Sequence, residues 1–334
     1  MDIMAVGGYG TGLSLFVERA PEPGETVADA KLVITPGGKG SNQAVAAARL
    51  GATTGLITAI GRDGAGRTGR ALWRAEGIDT SGVLNLDGET MLGAIVTDAT
   101  GENRIVVADG VLAELGASHV ESMLGNNGAP RIILVSCEVT LGAIRAALSA
   151  GRTAGAVTIL NPAPVPALTP ADWANIDIVT PNRTEAHVLL GHATGAASPE
   201  ETARELSTRY DVTVVMTLGA DGAVAWPKDG DTAIQVPAFA AGGVIDTTGA
   251  GDALNGAVAA GLAAGLDLSD AVHLGTVCGG LAVTRRGVIP ALPTLAEASA
   301  ALNAAGRGRI ADFLAPAARQ VGHHTSPSPR KGQP

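Results

Sequence analysis

The segment from Asp246 to Gly256 combines carboxylates with glycines at the start of an Ala-rich helical stretch. Gly249 and Gly251 permit a tight turn that directs free backbone amides outward, and the dipole at a helix start favours an anion. Such amides can hold a phosphoryl group as its charge spreads in the transition state. Asp252 would lie beside them, placed to accept a proton from an attacking hydroxyl. Taken alone, the segment is equally compatible with Asp252 acting only as a helix N-cap.

A second glycine cluster surrounds Lys39, one of only four lysines in the chain. Residues 36–43 read Pro-Gly-Gly-Lys-Gly-Ser-Asn-Gln and lead into a helical stretch that ends near Leu50. Glycines let a ligand approach the backbone, and Lys39 and Asn42 supply hydrogen-bond donors, which suits a polyol. The spacing is not that of a Walker A loop. A glycine-rich turn with an exposed lysine is the structural alternative.

Polar residues also follow two later strand-like runs. Asn182 could bind a nucleotide phosphate and Glu185 could hold waters of a magnesium ion, although capping of the next helix explains Asn182 as well. The loop 217–222 (Thr-Leu-Gly-Ala-Asp-Gly) fits either a turn that cradles phosphate or a plain β-turn.

The elements that must position these residues alternate between strands and helices. Val- and Ile-rich runs occupy residues 3–8, 53–61, 131–137, 157–160, 176–180 and 212–217. Ala-rich stretches of helical length lie between most of them, for example 43–50, 141–150 and 199–210. The pattern predicts a mostly parallel sheet covered on both faces, and ligands bind such sheets beyond the carboxyl ends of the strands.

Two segments, about 11–36 and about 88–108, interrupt this alternation. Residues 90–97 and 104–108 resemble a hairpin, and the two segments together could form a small separate β-sheet. A lid over the site is the functional interpretation and an edge hairpin the structural one. We expect one α/β domain over residues 1–316 and a disordered, Pro-rich tail over 317–334.

Composition limits the classes of partner. The 334 residues carry a net charge of -9, with a pI near 5.1, which argues against nucleic acid because that affinity depends on clustered Lys and Arg. Cys137 and Cys278 lie in apolar runs without metal-site spacing, which predicts buried thiols in a cytoplasmic protein. The stretch 244–266 contains two aspartates and predicts a loop and core helix, so no membrane partner is expected.

Considered together, the motifs resemble the ribokinase family of PfkB-type carbohydrate kinases. Residues 37–48 are similar to its first signature and residues 246–255 to its second, and four shorter strings occur in family order: 161–164, 180–186, 217–219 and 281–287. The resemblance spans about residues 3–313. It implies an α/β, Rossmann-type three-layer sandwich with a small β-sheet lid, a homodimer formed through the lid, ATP with Mg²⁺ as phosphoryl donor, and a small sugar, ribose first, as acceptor.

The resemblance also implies residue roles. Asp252 matches the catalytic base, and Gly249, Ala250 and Gly251 match the amides of an anion hole. The sugar-site positions are Gly10, Gly12, Gly38, Lys39, Asn42, Glu138 and Asp252. The nucleotide-site positions are Asn182, Thr217, Leu218, Gly219, Ala220, Asp221, Gly222, Gly251 and Thr276. Glu185 matches a magnesium position, and a K⁺ site composed largely of backbone carbonyls matches Asp246, Thr248, Ala282, Arg285 and Gly287.

Two departures from the family pattern affect these expectations. Gly10 and Gly12 stand where ribokinases carry an asparagine and an aspartate that grip the sugar hydroxyls. Loss of such groups alters selectivity and would leave room for a bulkier acceptor near Tyr9, so another pentose, a sugar derivative or a nucleoside is an alternative substrate. Ala291 replaces a hydroxyl residue among the K⁺ ligands.

Two other classes of protein share some of these features. A non-catalytic sugar or nucleotide sensor is supported only by Gly10 and Gly12, and the intact glycine frame around Asp252 argues against it. A dinucleotide-dependent oxidoreductase is suggested by the glycines of residues 7–12, but Pro21 and Pro23 leave too short a helix after them.

Overall fold

The computed structural model of the protein describes residues 1–100, 102–126, 128–192 and 197–321. Its strands are β1 (Ile3–Val6), β2 (Gly10–Phe16), β3 (Lys31–Gly37), β4 (Thr54–Gly61), β5 (Val83–Leu86), β6 (Met91–Thr97), β7 (Asn103–Ala108), β8 (Ile132–Ser136), β9 (Val157–Asn161), β10 (Ile178–Val179), β11 (Thr213–Thr217), β12 (Ala223–Trp226) and β13 (Ile234–Val236). The six strand-like runs of the sequence therefore correspond to β1, β4, β8, β9, β10 and β11.

The helices are α1 (Lys39–Arg49), α2 (Gly64–Ala75), α3 (Ala117–Asn126), α4 (Leu141–Ala154), α5 (Pro170–Trp173), α6 (Arg183–Leu190), α7 (Pro199–Tyr210), α8 (Ala250–Ala264), α9 (Leu268–Ala282), α10 (Val288–Ala291), α11 (Leu295–Ala304) and α12 (Gly308–Val321). Local sequence sets many of these bounds. For α7, Ser198 caps the helix in a reciprocal box with Glu201 and Pro199 stands in the first turn, so the predicted bounds 199–210 are the observed ones.

The main sheet, in the part of the chain that is described, has the strand order β13-β12-β11-β10-β9-β8-β1-β4-β5. The seven strands from β11 to β5 are parallel to their neighbours, and β12 and β13 add an antiparallel edge. The predicted, mostly parallel sheet is confirmed.

Helices cover both faces of this sheet. Along β1, Ile3 and Ala5 contribute to the core cluster that contains α1, α8 and α9, whereas Met4 and Val6 contribute to the cluster that contains α3, α4 and α7. Successive strand residues point to opposite faces, so a strand buried on both faces needs a continuous apolar run. The Val- and Ile-rich runs of the sequence satisfy that requirement.

A second sheet stands apart from the main one, with the strand order β3-β2-β6-β7. β2 pairs in parallel with β6, and the other two pairings are antiparallel. Its strands lie within the segments that interrupt the strand and helix alternation of the sequence. We call this four-stranded sheet the lid sheet.

The stretch 244–266 forms a loop followed by α8, most of whose residues are buried. Across the described residues, the helices all fall short of the length and apolar character that a membrane crossing requires. The last helix, α12, extends to Val321 and so includes the first five residues of the predicted tail, 317–321. The remainder of that predicted tail, residues 322–334, lies outside the described residues.

Candidate active site

Asp252 lies in the first turn of α8, after the N-cap Gly249, which adopts a left-handed φ of 84°. The residue is only 9% exposed. Asn42 Nδ2 donates to its Oδ2 at 2.8 Å, and Gln43 Nε2 donates to its Oδ1 at 3.0 Å. Asp252 is therefore an acceptor whose two oxygens are both held by α1, and its position in the helix is not explained by N-capping.

Close packing of α1 on α8 brings these groups together. A Cβ at Gly256 would lie 2.5 Å from Ala46 Cβ, so only a glycine allows the two helices to approach this closely. Gly256 stands one turn after Asp252, and Ala46 stands one turn after Asn42. The contact between Gly256 and Ala46 thus fixes the distance between the side-chain amides of α1 and the Asp252 carboxylate.

The glycines before α1 serve a similar purpose. Gly38 has a φ of 91°, and a Cβ there would lie 2.6 Å from the backbone of Gly8 and Tyr9. A Cβ at Gly40 would lie 2.4 Å from the carbonyl carbon of Gly7. The start of α1 therefore packs directly on the backbone that follows β1.

Lys39 and Glu138 form an ion pair next to this helix start. Lys39 Nζ lies 3.0 Å from Glu138 Oε1, and the backbone amide of Lys39 donates to Glu138 Oε2 at 2.6 Å. Burial alone would lower the pKa of Lys39, but the nearby carboxylates, with Glu138 foremost, together outweigh burial and the pKa is raised. The charges of Asp252 and Glu185 act on Lys39 in the same direction, which places all four groups in one electrostatic environment.

Burial dominates the ionisation of Asp252. Desolvation raises its pKa from the ordinary 3.8 to about 6, while the hydrogen bonds from Asn42 and Gln43 and the charge of Lys39 act to lower it. A carboxylate with this pKa is ionised at neutral pH and is a stronger base than an exposed aspartate.

The predicted anion-hole segment is a tight turn at the start of α8. The amide of Ala250 spans 3.3 Å to Thr247 O, a long turn bond, and the amide of Ala253 begins the helical pattern by donating to Gly249 O. Nothing lies within 4 Å of the Cβ position of Gly251, whereas a Cβ at Gly249 would lie 2.5 Å from Val288 Cγ1. The space in front of Gly251, next to Asp252, is open.

The predicted nucleotide residues follow β10 and β11, whose carboxyl ends are adjacent. Asn182 and Thr217 form an isolated parallel bridge, and Arg183 Nη2 pairs with Asp221 Oδ2 at 2.7 Å. The remaining loop residues, Leu218, Gly219, Ala220 and Gly222, form a single 3₁₀ turn and its ends. Thr276 lies on α9, where its hydroxyl donates to the carbonyl of His273.

Asn182 and Glu185 cap the start of α6, which is the structural alternative that the sequence left open. They form a capping box in which Asn182 Oδ1 accepts from the Glu185 amide and Glu185 Oε2 accepts from the Asn182 amide, both at 2.8 Å. Burial raises the pKa of Glu185. Their ligand roles stay predictions.

The residues predicted for a K⁺ site join two loops. Asp246 Oδ1 accepts from the Thr248 amide at 2.9 Å and its Oδ2 accepts from the Gly287 amide at 3.0 Å. Arg285 bonds to Glu297 through its side chain, and Ala282 is fully buried. Among the described residues, there is no cluster of three or more His, Cys, Asp or Glu side chains that could hold a metal ion.

Gly10 and Gly12 differ in the space around them. A Cβ at Gly10 would lie 2.5 Å from Met91 O, so Met91 fills the room that we expected there. At Gly12 the nearest atom is Thr35 Oγ1 at 3.5 Å. The sequence led us to expect Tyr9 near the acceptor. Instead, Tyr9 is fully buried against Trp73 and donates to Ala65 O at 2.9 Å.

Sequence reasoning gave no role to Gln43 and Asn161. Gln43 Nε2 donates to Asn161 Oδ1 at 3.0 Å as well as to Asp252, so it joins the base to the end of β9. Both residues stand inside strings that carried the family resemblance. The sequence signal for Gln43 is an amide side chain in an otherwise Ala-rich helix. A buried amide there requires a hydrogen-bond partner.

Comparison with known families gives a match over residues 2–295, to the model described as pfkB family carbohydrate kinase. The ribokinase of Haemophilus influenzae is 34% identical over 280 residues, covering 83% of this chain and 90% of that protein. The deoxyribokinase of Salmonella typhi is 29% identical over 303 residues, covering 89% of this chain and 97% of that protein.

Solved structures give the same picture. The ribokinase of Thermotoga maritima matches with a TM-score of 0.81 and 28% identity, over 90% of this chain and 99% of that one. The ribokinase of Cryptococcus neoformans, solved in complex with ADP, matches with a TM-score of 0.75 and 28% identity, over 90% of this chain and 99% of that one. The predicted three-layer α/β class with a small β-sheet lid is confirmed.

Proposed function

Because this chain belongs to the pfkB family of carbohydrate kinases, we propose that it transfers the γ-phosphoryl group of ATP to a primary hydroxyl of ribose. The coarser activity, a phosphotransferase with a hydroxyl acceptor, follows from the family itself. The observation that supports transfer to a hydroxyl most strongly is Asp252, a buried carboxylate at a helix start whose two oxygens accept from Asn42 and Gln43. Ribose is the leading acceptor because the relatives include proteins named ribokinase.

In the proposed reaction Asp252 accepts the proton of the acceptor hydroxyl. The hydroxyl oxygen then forms a bond to the γ-phosphorus as the bond from that phosphorus to the β,γ-bridging oxygen breaks, and ADP leaves with the electron pair. The amides of Gly249, Ala250 and Gly251 hold the equatorial oxygens, with the long turn bond of Ala250 exchanged for a bond to the phosphoryl group.

The acceptor lies, in this proposal, between Asp252 and the pair formed by Lys39 and Glu138. Asn42 Oδ1 is buried and has no hydrogen-bond partner among the described residues. A buried acceptor without a partner is costly, and a sugar hydroxyl would satisfy it. The ion pair would supply one further donor and one further acceptor to the same ring of hydroxyls.

Another pentose, a sugar derivative or a nucleoside is the alternative acceptor. Gly12 favours it, because this residue has no side chain to contact an acceptor, and a Cβ there would make only ordinary contacts, with Thr35 Oγ1 nearest at 3.5 Å. The relative named deoxyribokinase indicates that chains this similar differ in their acceptors.

ATP with Mg²⁺ is the proposed donor. Asn182, the loop 217–222 and Thr276 would hold the nucleotide, and Glu185 is a half-buried carboxylate near Lys39 that fits a water-mediated role toward the ion. Bound Mg²⁺ would supply positive charge that neutralises the phosphate oxygens. The two 2.8 Å capping bonds keep Glu185 in place for that role.

Activation by K⁺ is proposed through the loops that Asp246 joins. Both carboxylate oxygens of Asp246 already accept amide bonds, so a monovalent ion there would depend mainly on carbonyl oxygens near Thr248, Ala282, Arg285 and Gly287. Because the loop 246–248 leads directly into the anion hole, an ion that orders it would raise kcat. Turnover in KCl compared with tetramethylammonium chloride tests this.

A homodimer through the lid sheet is the proposed assembly. Ile34, Leu13, Ala94 and Val106 are cross-strand partners on one face of that sheet. Ile34 is 60% exposed and Val106 is 71% exposed, an apolar surface that a second copy would cover. Light scattering of the wild type and of Ile34→Asp tests it, and a wild type that is monomeric at micromolar concentration would contradict it.

The cytoplasm is the proposed location. Cys137 and Cys278 are both buried and free, and free thiols suit a reducing compartment.

ADP release with Mg-ATP and K⁺ tests the proposed function across a panel of pentoses, hexoses, sugar acids and nucleosides. Turnover that depends on ribose is expected. Thermal shift provides a check of the donor, since Mg-ATP should stabilise the protein and NAD should not. ATP binding without turnover on any acceptor would favour a sensor.

A further inference from the structure

A closed set of buried hydrogen bonds connects Asp252 to the backbone of the anion hole. It starts at Gln43, whose Nε2 donates to Asp252 Oδ1 and to Asn161 Oδ1, each at 3.0 Å. Asn161 Nδ2 donates in turn to the carbonyl of Thr180 at 3.1 Å. These links run from the base on α8 through α1 to the ends of β9 and β10.

The set returns to α8 through Asn255. Thr180 Oγ1 donates to Asn255 Oδ1 at 2.5 Å, and Asn255 Nδ2 donates to the Gly251 carbonyl at 2.9 Å. We call the side chains of Gln43, Asn161, Thr180 and Asn255 the buried amide network. Each of them is at most 7% exposed.

The donor directions in the buried amide network are fixed by groups that can only accept. The Thr180 carbonyl requires the NH₂ group of Asn161, which leaves Asn161 Oδ1 facing Gln43. Gln43 must then present its own NH₂ group, and its second hydrogen points at Asp252. A proton on Asp252 Oδ1 would face this donor, so the network favours the ionised carboxylate.

We propose that the buried amide network is the positioning device of this kinase, in which Gln43 holds Asp252 ionised and oriented and Asn255 holds the Gly251 turn beside it. The inference rests on the proposed function, because it assumes that Asp252 is the base. Gln43 contacts the base and Asn255 contacts the Gly251 carbonyl, so both act on the acceptor hydroxyl and the phosphoryl group through other residues. Their joint effect is to fix the base relative to the amides that receive the phosphoryl group.

The two arms of the network predict different defects. Gln43→Met keeps the length of the side chain and removes both hydrogen bonds. Since the Gln43 bond lowers the pKa of Asp252, its loss should move the midpoint of the carboxylate upward from about 6. A base that is no longer oriented should lower kcat about 10- to 100-fold.

Thr180→Val removes the hydroxyl that holds Asn255 and leaves the bonds to the carboxylate in place. It should lower kcat through the Gly251 turn without moving the carboxylate midpoint. Thr158→Val is the matched control, because Thr158 is also fully buried and donates to a carbonyl at 2.7 Å, but at the opposite end of β9. It should lower thermal stability and leave kcat unchanged.

The deciding experiment is ¹³C NMR titration of the aspartate carboxyl carbons, with Asp252→Asn used to assign the Asp252 signal, together with the pH profile of kcat. An upward shift of both midpoints in Gln43→Met, and of neither in the two threonine variants, supports the proposal. An unshifted Asp252 signal in folded Gln43→Met overturns it, and so does equal kcat in Thr180→Val and Thr158→Val.

If Gln43→Met does not fold, the comparison of the two threonine variants decides. The titration does not need turnover, so it separates the two claims. A wild type that turns over no acceptor removes the proposed function, whereas an unshifted Gln43→Met in an active enzyme removes only this inference.

Discussion

Replacing Asp252 by asparagine is expected to stabilise the folded protein at neutral pH while removing the proposed base. The pKa of Asp252 is about 6 in the folded state and ordinarily 3.8, a difference of about two pKa units. The ionised carboxylate is therefore less stable in the folded protein than in the unfolded chain. That difference corresponds to about 3 kcal/mol, or about 4 °C in Tm for a chain of this length.

The sign follows from proton binding. As pH rises from about 4 to 6, the unfolded chain releases its proton first, and the folded state loses stability until its own Asp252 has ionised. Above pH 6 the wild type carries the full cost, and Asp252→Asn carries none of it. Below pH 3.8 the carboxyl is neutral in both states and the advantage of the variant disappears.

Scanning calorimetry of both proteins between pH 4 and 8 measures the effect. The NH₂ group introduced at position 252 would face one of the two side-chain donors of α1. The Asn42 amide can rotate to present its Oδ1 to this group, because that oxygen has no partner among the described residues. Asn161, whose Oδ1 accepts from Gln43, remains unchanged in this variant. A Tm difference that is zero at pH 7.5, or that does not change with pH, would refute the burial argument.

Three further outcomes are expected. The acceptor kcat/KM should fall below pH 6, to about one-tenth at pH 5, because Asp252 must be ionised; a flat profile between pH 5 and 7 would contradict this. Glu138→Gln should raise the acceptor KM about tenfold with the KM for ATP unchanged, since Lys39 loses its charged partner; steady-state kinetics measure both. Gly12→Asp should fold and favour ribose over nucleosides, whereas Gly10→Asp should lower Tm because its Cβ has no room; comparable Tm values would contradict the glycine geometry.

The main sheet could be predicted from the sequence because its strands are buried on both faces and are therefore uniformly apolar. The bounds of α7 were readable because its cap and first-turn proline are local signals. The Ala-rich pattern predicts a helix from residue 43, whereas α1 begins at Lys39, because a backbone with positive φ at Gly38 allows the earlier start. A glycine is the only sign of such a backbone conformation in the sequence, and a glycine alone does not show that a helix begins there.

Within the site, the residue types were predictable and their contacts were not. Asp252 and Asn42 could be named from their strings, but the bond between them joins residues 210 positions apart. The filling of the Gly10 space by Met91 and the turn of Tyr9 toward Trp73 depend on the pairing of β2 with β6 and on α2. Those long-range pairings have no signature in either segment.

The central claim is that Asp252 activates an acceptor hydroxyl for attack on ATP. The most direct measurement follows the label of [γ-³²P]ATP with ribose, in the wild type and in Asp252→Asn, with ATP binding of both proteins measured by calorimetry. The account predicts label in a sugar phosphate with the wild type, and a variant that binds ATP with wild-type affinity but transfers almost no label. Equal transfer by the two proteins, or label released only as inorganic phosphate, would contradict it.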